Sequence, residues 1–268
     1  MSKRDSSNRA LRLRCFSHHA ETSPRGEEKR KPHRFPYTLS MCGRYRLDRK
    51  KEILAEVFDV GDGDDWSPRY NIAPSQSVPV VRQDATRPAR SLSLISWGLI
   101  PFWAKDAKAG YKMINARAET IAEKPAFREP FQSRRCLIPA DGFYEWSKFS
   151  KGKSPFCFTL ADDSVFAFAG IWDRWKNPER ELIETCSIIT TSANALVSDI
   201  HDRMPVILKC EDHDRWLDPG FKQVDDILDL LKPYPADSMR HYRVSSRVNS
   251  VNNDDAACAE EYVPETLF

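Results

Sequence analysis

Long apolar stretches are missing from this chain of 268 residues. No segment approaches the roughly 20 consecutive apolar residues that a membrane-spanning helix requires, so no membrane partner is expected. The beginning of the chain also lacks the continuous apolar segment of a secretory signal. With 41% hydrophobic and 30% charged residues, the composition predicts one globular domain of substantial size with a single large core.

Closely spaced cysteine pairs are absent as well. The seven cysteines are an odd number, and none of them belongs to a C-x-x-C pair. This pattern argues against a disulfide framework and a cysteine-rich zinc site, and it favours reduced thiols in the cytosol. We expect neither a metal nor a cofactor. The cysteines are Cys15, Cys42, Cys136, Cys157, Cys186, Cys210 and Cys258.

Excess positive charge is confined to the first part of the chain. Residues 1–40 carry ten Lys/Arg and four Asp/Glu, whereas residues 41–268 carry 31 and 35. Any contact of the body with nucleic acid must therefore come from a local patch. The first segment has few apolar residues and is predicted to be a disordered basic tail. Its glutamates argue against a transit peptide.

After the tail, short apolar runs bounded by turn residues predict many sequential strands and a few peripheral helices. This order indicates a single α+β domain around a strongly curved, mostly antiparallel sheet. A first helix is expected at 48–58, with Ile53, Leu54, Val57 and Phe58 on one face, and a loop at 61–76. Further helices are expected near 125–133, 194–199, 211–217 and 223–231, and strands at 77–81, 91–97, 135–140, 142–146, 155–160, 165–172, 184–191 and 240–246.

Polar residues interrupt these apolar runs at three places. In the segment KMINARAET, Asn115, Arg117 and Glu119 would share one face of an extended chain, which is either a solvated face or a binding face. Glu145 lies between two aromatic residues, where partial burial would suit it to general acid–base catalysis. His201 lies between two acidic neighbours, where a lone histidine is either structural or catalytic.

The pentapeptide MCGRY, residues 41–45, reads like the beginning of a protein, because a start methionine before a small residue is normally removed. Together with six later motifs it resembles the SRAP family, the abasic-site processing proteins first called SOS response-associated peptidases. The resemblance covers roughly residues 42–250. The later motifs are YNIAPSQSVPVV, WGLIPFWAKD, INARAET, RRCLIPADGFYEW, FAFAGIWDRW and TTSAN with SDIHDRMPVIL.

The resemblance implies a single α+β domain with a β-barrel-like core, peripheral helices and a positively charged groove for single-stranded DNA. It divides the chain into a tail at 1–41 that is absent from the mature protein, a catalytic domain at 42–255 and a C-terminal end at 256–268. The implied partner is single-stranded DNA containing abasic sites, bound by a monomer. The implied location is cytoplasmic, at the nucleoid, or nuclear in a eukaryote.

The implied chemistry centres on Cys42, whose freed α-amine and thiol would condense with the abasic-site aldehyde to a thiazolidine. Such an amine has an ordinary pKa of about 7.7–8.0, so a useful fraction is neutral near pH 7. By motif, Glu145 corresponds to an acid/base glutamate and His201 to a histidine that assists sugar ring opening. Asn115 corresponds to an asparagine that orients the cysteine and the sugar.

DNA-binding roles are also implied by motif. Arg117 and Arg44 correspond to arginines that hold backbone phosphate, and Trp103 to an aromatic residue that stacks on a base, worth about 1–3 kcal/mol. The family often has two tryptophans in this loop, whereas this chain has Phe102 before Trp103.

Two other functions stay open at this stage. One is a cysteine peptidase that acts on other proteins through Cys42 and His201. The other is a non-catalytic module that binds single-stranded DNA. The covalent reaction itself could be followed by strand cleavage through β-elimination, which is AP-lyase chemistry.

The first prediction concerns the tail. While Met41 is attached, the Cys42 nitrogen is an amide and no thiazolidine forms, so we expect the working protein to begin at Cys42. Either translation starts at Met41 or the chain cuts itself. The intact mass of the active purified protein checks this, and an active protein that retains residues 1–41 would contradict it.

Overall fold

A computed structural model describes residues 42–84, 87–147 and 154–263. The tail at 1–41 lies outside these described residues, so its expected disorder stays a prediction. No helix among the described residues is long and apolar enough to cross a membrane.

The described chain contains fourteen strands and five α-helices. The strands are β1 (Tyr45–Leu47), β2 (Val60–Gly63), β3 (Arg69–Ile72), β4 (Ser77–Asp84), β5 (Arg87–Trp97), β6 (Asn115–Arg117), β7 (Arg135–Ala140), β8 (Gly142–Trp146), β9 (Pro155–Leu160), β10 (Phe166–Lys176), β11 (Leu182–Ser192), β12 (Arg203–Pro205), β13 (Ile207–Leu208) and β14 (Met239–Arg243). The helices are α1 (Lys51–Phe58), α2 (Pro125–Ser133), α3 (Ala195–Ser198), α4 (His213–Leu217) and α5 (Val224–Leu228).

Five of these strands close into a barrel. The order is β5, β4, β7, β10 and β11, and each of these neighbours pairs antiparallel. The ring closes where β11 pairs with β5 in parallel, at Thr185 opposite Ser96 and Cys186 opposite Trp97. The fold is therefore a single α+β domain with a closed barrel core and few helices, which confirms the predicted fold class.

A second sheet lies beside the barrel in the order β14, β9, β8, β1 and β3, with every pair antiparallel. Strand β1, between β8 and β3, contributes Tyr45, whose ring meets Trp97 and Phe168 of the barrel edge to face, at centroid distances of 5.4 and 5.7 Å. All three side chains are buried in one apolar cluster. This packing places the start of β1 against the barrel.

The structure corrects two local predictions. The segment at 61–76 is not all loop, because it contains the end of β2 and the whole of β3. Strand β3 has four residues and is held at a sheet edge by the Asp254 carboxylate, which no local pattern reveals. Helix α1 forms as predicted, but only Leu54 and Phe58 of its apolar face are buried. Ile53 and Val57 are 42% and 41% exposed.

The turn between β7 and β8 is tied to β1 by a buried carboxylate. Asp141 is 2% exposed and pairs with Arg46, with Nε and Oδ1 2.7 Å apart. Its Oδ2 accepts a hydrogen bond from the Asp48 backbone N–H at 2.6 Å. Burial raises the pKa of Asp141 to about 7, although Arg46 opposes the shift. This contact fixes the register of the two strands that lead to the candidate site.

The second prediction tests this contact. Asp141→Ala leaves the Arg46 guanidinium buried without its main partner, which typically costs about 3–5 kcal/mol. Urea unfolding of the full chain should show a loss near the lower end of that range, because Asp48 lies 3.5 Å from Arg46. Asp229→Ala, which removes an exposed pair with Lys232, is the control and should change stability little. Equal effects of the two substitutions would contradict the assignment.

Candidate active site

The pairing of β1 with β8 brings Cys42 to Glu145. Tyr45 lies opposite Phe143, and the Tyr144 N–H donates to the Arg44 carbonyl at 3.0 Å, so the chain before β1 runs back past Glu145. Cys42 has a left-handed backbone conformation with φ of 41°, which costs of order 1–3 kcal/mol for a residue other than glycine. This turn directs the Cys42 N–H to the Glu145 Oε1 at 2.7 Å.

Glu145 is a buried carboxylic acid on the core side of its sheet. It is 4% exposed and lies two residues after Phe143 on the same strand, so both side chains face the main apolar cluster. A buried carboxyl group requires hydrogen-bonding partners. The Cys42 nitrogen is one of them, which places an acid or base directly on the atom that would become the reactive amine.

The Cys42 thiol shares this buried environment. Burial raises its pKa well above the ordinary value, and the charge of Glu145 and a hydrogen bond to its carboxylate raise the pKa further. Arg203 opposes the shift. The thiol is therefore held protonated, and its reaction needs a base beside it. Glu145 is in place for that role, whereas a resting thiolate of the kind that many peptidases use is disfavoured.

Asn115 approaches the same residue from another strand. Strand β6 pairs in parallel with β11, with Asn115 opposite Ile188 and Arg117 opposite Thr190. From this position the Asn115 Nδ2 donates to the Cys42 carbonyl at 3.4 Å. Direct contacts thus join three of the predicted catalytic residues, Cys42, Glu145 and Asn115.

His201 is the fourth predicted catalytic residue, and it lies just after helix α3. It is 6% exposed, and its Nδ1 accepts a hydrogen bond from the Arg203 N–H at 3.1 Å. The same Nδ1 lies 3.2 Å from the Arg203 carbonyl and 3.3 Å from Asp202 Oδ1, contacts that the other tautomer would make as a donor. Its chain neighbours Asp202 and Arg203 both act on the pKa of the Cys42 thiol, so this segment borders the site.

Sequence reasoning missed Arg203. Its Nη2 donates to the Thr190 carbonyl at 2.7 Å and to Glu119 Oε2 at 2.9 Å. The hydrogen bond from Arg203 lowers the pKa of Glu119. Glu119 was predicted to share an extended polar face with Asn115 and Arg117, but it lies in a 3-10 turn just after β6 ends. The sequence did offer one indication of Arg203, which is that it follows the predicted catalytic residue His201 by two residues in the motif HDRMP.

The predicted aromatic contact lies on an exposed turn after β5. Trp103 and Phe102 are 53% and 57% exposed. Two side chains of β10 hold this turn. Asp173 Oδ2 accepts from the Phe102 N–H at 3.1 Å, and Trp175 Nε1 donates to the Ala104 carbonyl at 2.6 Å. Tyr111, which sequence reasoning did not single out, is also 53% exposed on the next 3-10 turn.

The two predicted phosphate-binding arginines differ in their surroundings. Arg117 is exposed at the end of β6. Arg44 is partly buried, and its Nη1 donates to Asn71 Oδ1 at 2.9 Å and to the Val248 carbonyl at 2.8 Å. The DNA-binding roles of both arginines and of Trp103 stay predictions.

Comparison with known sequences identifies the relatives of this chain. The family described as SOS response associated peptidase (SRAP) matches residues 41–251. The abasic site processing protein YoqW of Bacillus subtilis is 46% identical over 83% of this chain and 100% of its own length. The abasic site processing protein HMCES of Gallus gallus is 34% identical over 72% of this chain and 66% of its own length.

Solved structures show the same fold. A crystal structure of a protein from Bacteroides thetaiotaomicron has a TM-score of 0.75 at 30% identity and covers 83% of this chain and all of that chain. A second, from Bordetella bronchiseptica, has a TM-score of 0.68 at 30% identity over 76% of this chain and all of that chain.

The third prediction concerns the Cys42 thiol. Because the Glu145 charge raises the pKa of this thiol, Glu145→Gln should lower that pKa and move the pH profile of iodoacetamide alkylation to lower pH. Mass spectrometry of the digested protein gives the rate at each cysteine. Exposed Cys210 serves as the internal control and should keep its profile. A Cys42 profile unchanged by Glu145→Gln would contradict the contact.

Proposed function

Because this chain belongs to the SRAP family, we propose that it recognises abasic sites in single-stranded DNA and bonds to them covalently through Cys42. The contact between the Cys42 nitrogen and the buried Glu145 carboxylate carries this proposal. It places a proton carrier against the nitrogen that attacks the aldehyde. The names of the relatives, which describe abasic site processing, agree with this substrate.

The proposed reaction joins both nucleophilic atoms of Cys42 to one carbon. The ring-opened abasic sugar presents an aldehyde at C1′, and the free amine adds to it and releases water, which leaves an imine. The thiol sulfur then adds to the imine carbon while its proton moves to the nitrogen, which closes a five-membered thiazolidine. Glu145 accepts and returns the protons of these steps, and a group of this kind typically contributes about 10²–10⁴-fold in rate.

The free amine requires removal of the residues before Cys42. In self-cleavage, the Cys42 sulfur attacks the Met41 carbonyl carbon and displaces the nitrogen, so that the acyl group moves from nitrogen to sulfur. Glu145 takes the thiol proton and delivers it to the departing nitrogen. Water then hydrolyses the thioester and releases the tail. Translation from Met41 followed by removal of that methionine would give the same terminus.

The other predicted residues have supporting roles in this proposal. Asn115 fixes the Cys42 carbonyl, and His201 acts at the sugar hydroxyl during ring opening. Trp103 stacks on a base, and Arg117 and Arg44 contact phosphates. Phosphate contacts and stacking require no particular sequence, which suits surveillance of damage. In this proposal the protein acts as a monomer and without a metal, at the nucleoid or, in a eukaryote, in the nucleus. The imine can also undergo β-elimination, which cleaves the DNA strand.

The fourth prediction tests the covalent bond. Incubation with a single strand that contains one abasic site should give an adduct that survives heating in denaturant. Cys42→Ala should abolish this heat-stable adduct, because no ring can close, and Cys42→Ser should give only an imine that borohydride traps. Cys136→Ala, a buried cysteine of the barrel, is the matched control and should react like the wild type. Loss of the adduct in Cys136→Ala with retention in Cys42→Ala would refute the assignment.

Two further variants serve as controls that separate binding from chemistry in the same assay. Arg117→Ala should weaken binding to intact strands and reduce its salt dependence, because each phosphate contact releases a counterion. At saturating DNA it should still form the adduct. Glu145→Gln should bind intact strands as the wild type does but form the adduct at least about 10²-fold more slowly. Adduct formation by Glu145→Gln at the wild-type rate would remove Glu145 from the mechanism.

A further inference from the structure

The C-terminal segment 246–254 contacts both chain segments that carry the reactive pair. Arg44, two residues after Cys42, donates through Nη1 to the Val248 carbonyl at 2.8 Å. Trp146, directly after Glu145, donates through Nε1 to Asn249 Oδ1 at 2.7 Å. One short segment therefore holds both the chain directly after the nucleophile Cys42 and strand β8, which carries its proton carrier Glu145.

Asn71 fixes this segment from inside the protein. Its side chain is fully buried. The amide Nδ2 lies 3.1 Å from the Val248 carbonyl, 2.9 Å from that of Ser250 and 2.7 Å from that of Asn253. The amide Oδ1 accepts from Arg44 Nη1 at 2.9 Å. A single side chain thus connects Arg44 to three carbonyls of the segment.

Asp254 closes the segment onto strand β3. Its Oδ1 accepts from the backbone N–H groups of Tyr70 and Asn71 at 2.7 and 2.8 Å, and its carboxylate pairs with Arg69. Tyr144 lies on β8 directly before Glu145, and its hydroxyl donates a hydrogen bond to the Tyr70 carbonyl at 2.7 Å. The contacts form a closed loop through Arg44 just before β1, strands β3 and β8, and the segment.

Once the tail is removed, these contacts determine how well the reactive terminus is ordered. Cys42 then becomes a chain terminus, and termini are poorly ordered unless they are tied down. Only Gly43 separates Cys42 from Arg44, so the bonds of Arg44 fix the chain directly behind the terminus, in addition to the contacts of Cys42 itself with Glu145 and Asn115. Displacement of a reacting group by about 1 Å can cost 10²-fold in rate.

We propose that Asn71 and segment 246–254 form a clamp that positions the Cys42 terminus against Glu145. Asn71 is a positioning residue, since its buried side chain cannot reach DNA. This inference rests on the proposed function for its catalytic consequence, while the clamp itself is a property of the free protein. Arg44 acts as the anchor in addition to its proposed phosphate contact.

The test uses the full chain with three variants and two measurements. Asn71→Ala removes the centre of the clamp, and Trp146→Phe keeps an aromatic ring but removes the bond to Asn249. Arg135→Lys is the matched control, because Arg135 is also a buried polar side chain that bonds several backbone carbonyls, and none of these belongs to the site. The measurements are the rate of adduct formation at saturating abasic DNA and the iodoacetamide alkylation rate of Cys42 without DNA.

Asn71→Ala should slow adduct formation at saturation by about tenfold or more and should accelerate Cys42 alkylation. Trp146→Phe should change both rates in the same directions by a smaller factor. If Asn71→Ala fails to fold, the rates of Trp146→Phe test the clamp instead. Arg135→Lys should lower the thermal midpoint and leave both rates unchanged. Unchanged rates in the folded Asn71 and Trp146 variants, or a change in the half-saturating DNA concentration alone, would overturn the clamp. Absence of an adduct in the wild type would refute the proposed function, while the alkylation rates would still decide the clamp.

Discussion

The hydrogen bond from the Cys42 nitrogen to Glu145 is the contact on which the site depends. A buried carboxyl group is unfavourable without a partner, and a left-handed cysteine is strained. Each of these two costs is compensated by the other residue, because the turn at Cys42 directs its N–H to the carboxylate. The same burial raises the pKa of the thiol and keeps it protonated until the base beside it acts.

The barrel provides the rigid frame for this contact, and the second sheet delivers the reactive residues to it. Tyr45 packs on Trp97 of the barrel, and Asp141 fixes the register of β1 against β8. Strand β11 of the barrel pairs with β6, which contains Asn115, along one edge and with β12, which contains Arg203, along the other. Residues that are distant in sequence therefore meet at one place because several sheet pairings converge there.

Much of the fold was predictable from local patterns, since β-branched runs and apolar periodicity record burial. The helix at 125–133 has its predicted bounds, and the long barrel strands were predicted at the right places, although β5 begins four residues earlier and β10 ends four residues later than predicted. Strands β1 and β3 were not, because three or four residues carry no periodicity and tertiary partners such as Asp254 decide their conformation.

The candidate site was predictable in its residue types but not in its geometry. The motifs indicated Cys42 and Glu145, yet no local pattern relates two residues 103 positions apart. Arg203 was missed because its importance lies in an ion pair with Glu119, a residue 84 positions away in the chain. Asn71 was missed because a buried asparagine in a short motif resembles any turn residue until its four bonding partners are seen.

The central claim is that both the nitrogen and the sulfur of Cys42 bond to one carbon of the abasic sugar. The most direct measurement is the structure of the isolated adduct, digested to a short peptide and one nucleotide and examined by NMR with ¹³C at C1′. The account predicts a saturated C1′ bonded to nitrogen and sulfur in a peptide that begins at Cys42. A C1′ bonded to nitrogen alone, to another residue, or to a Cys42 still preceded by Met41 would contradict it.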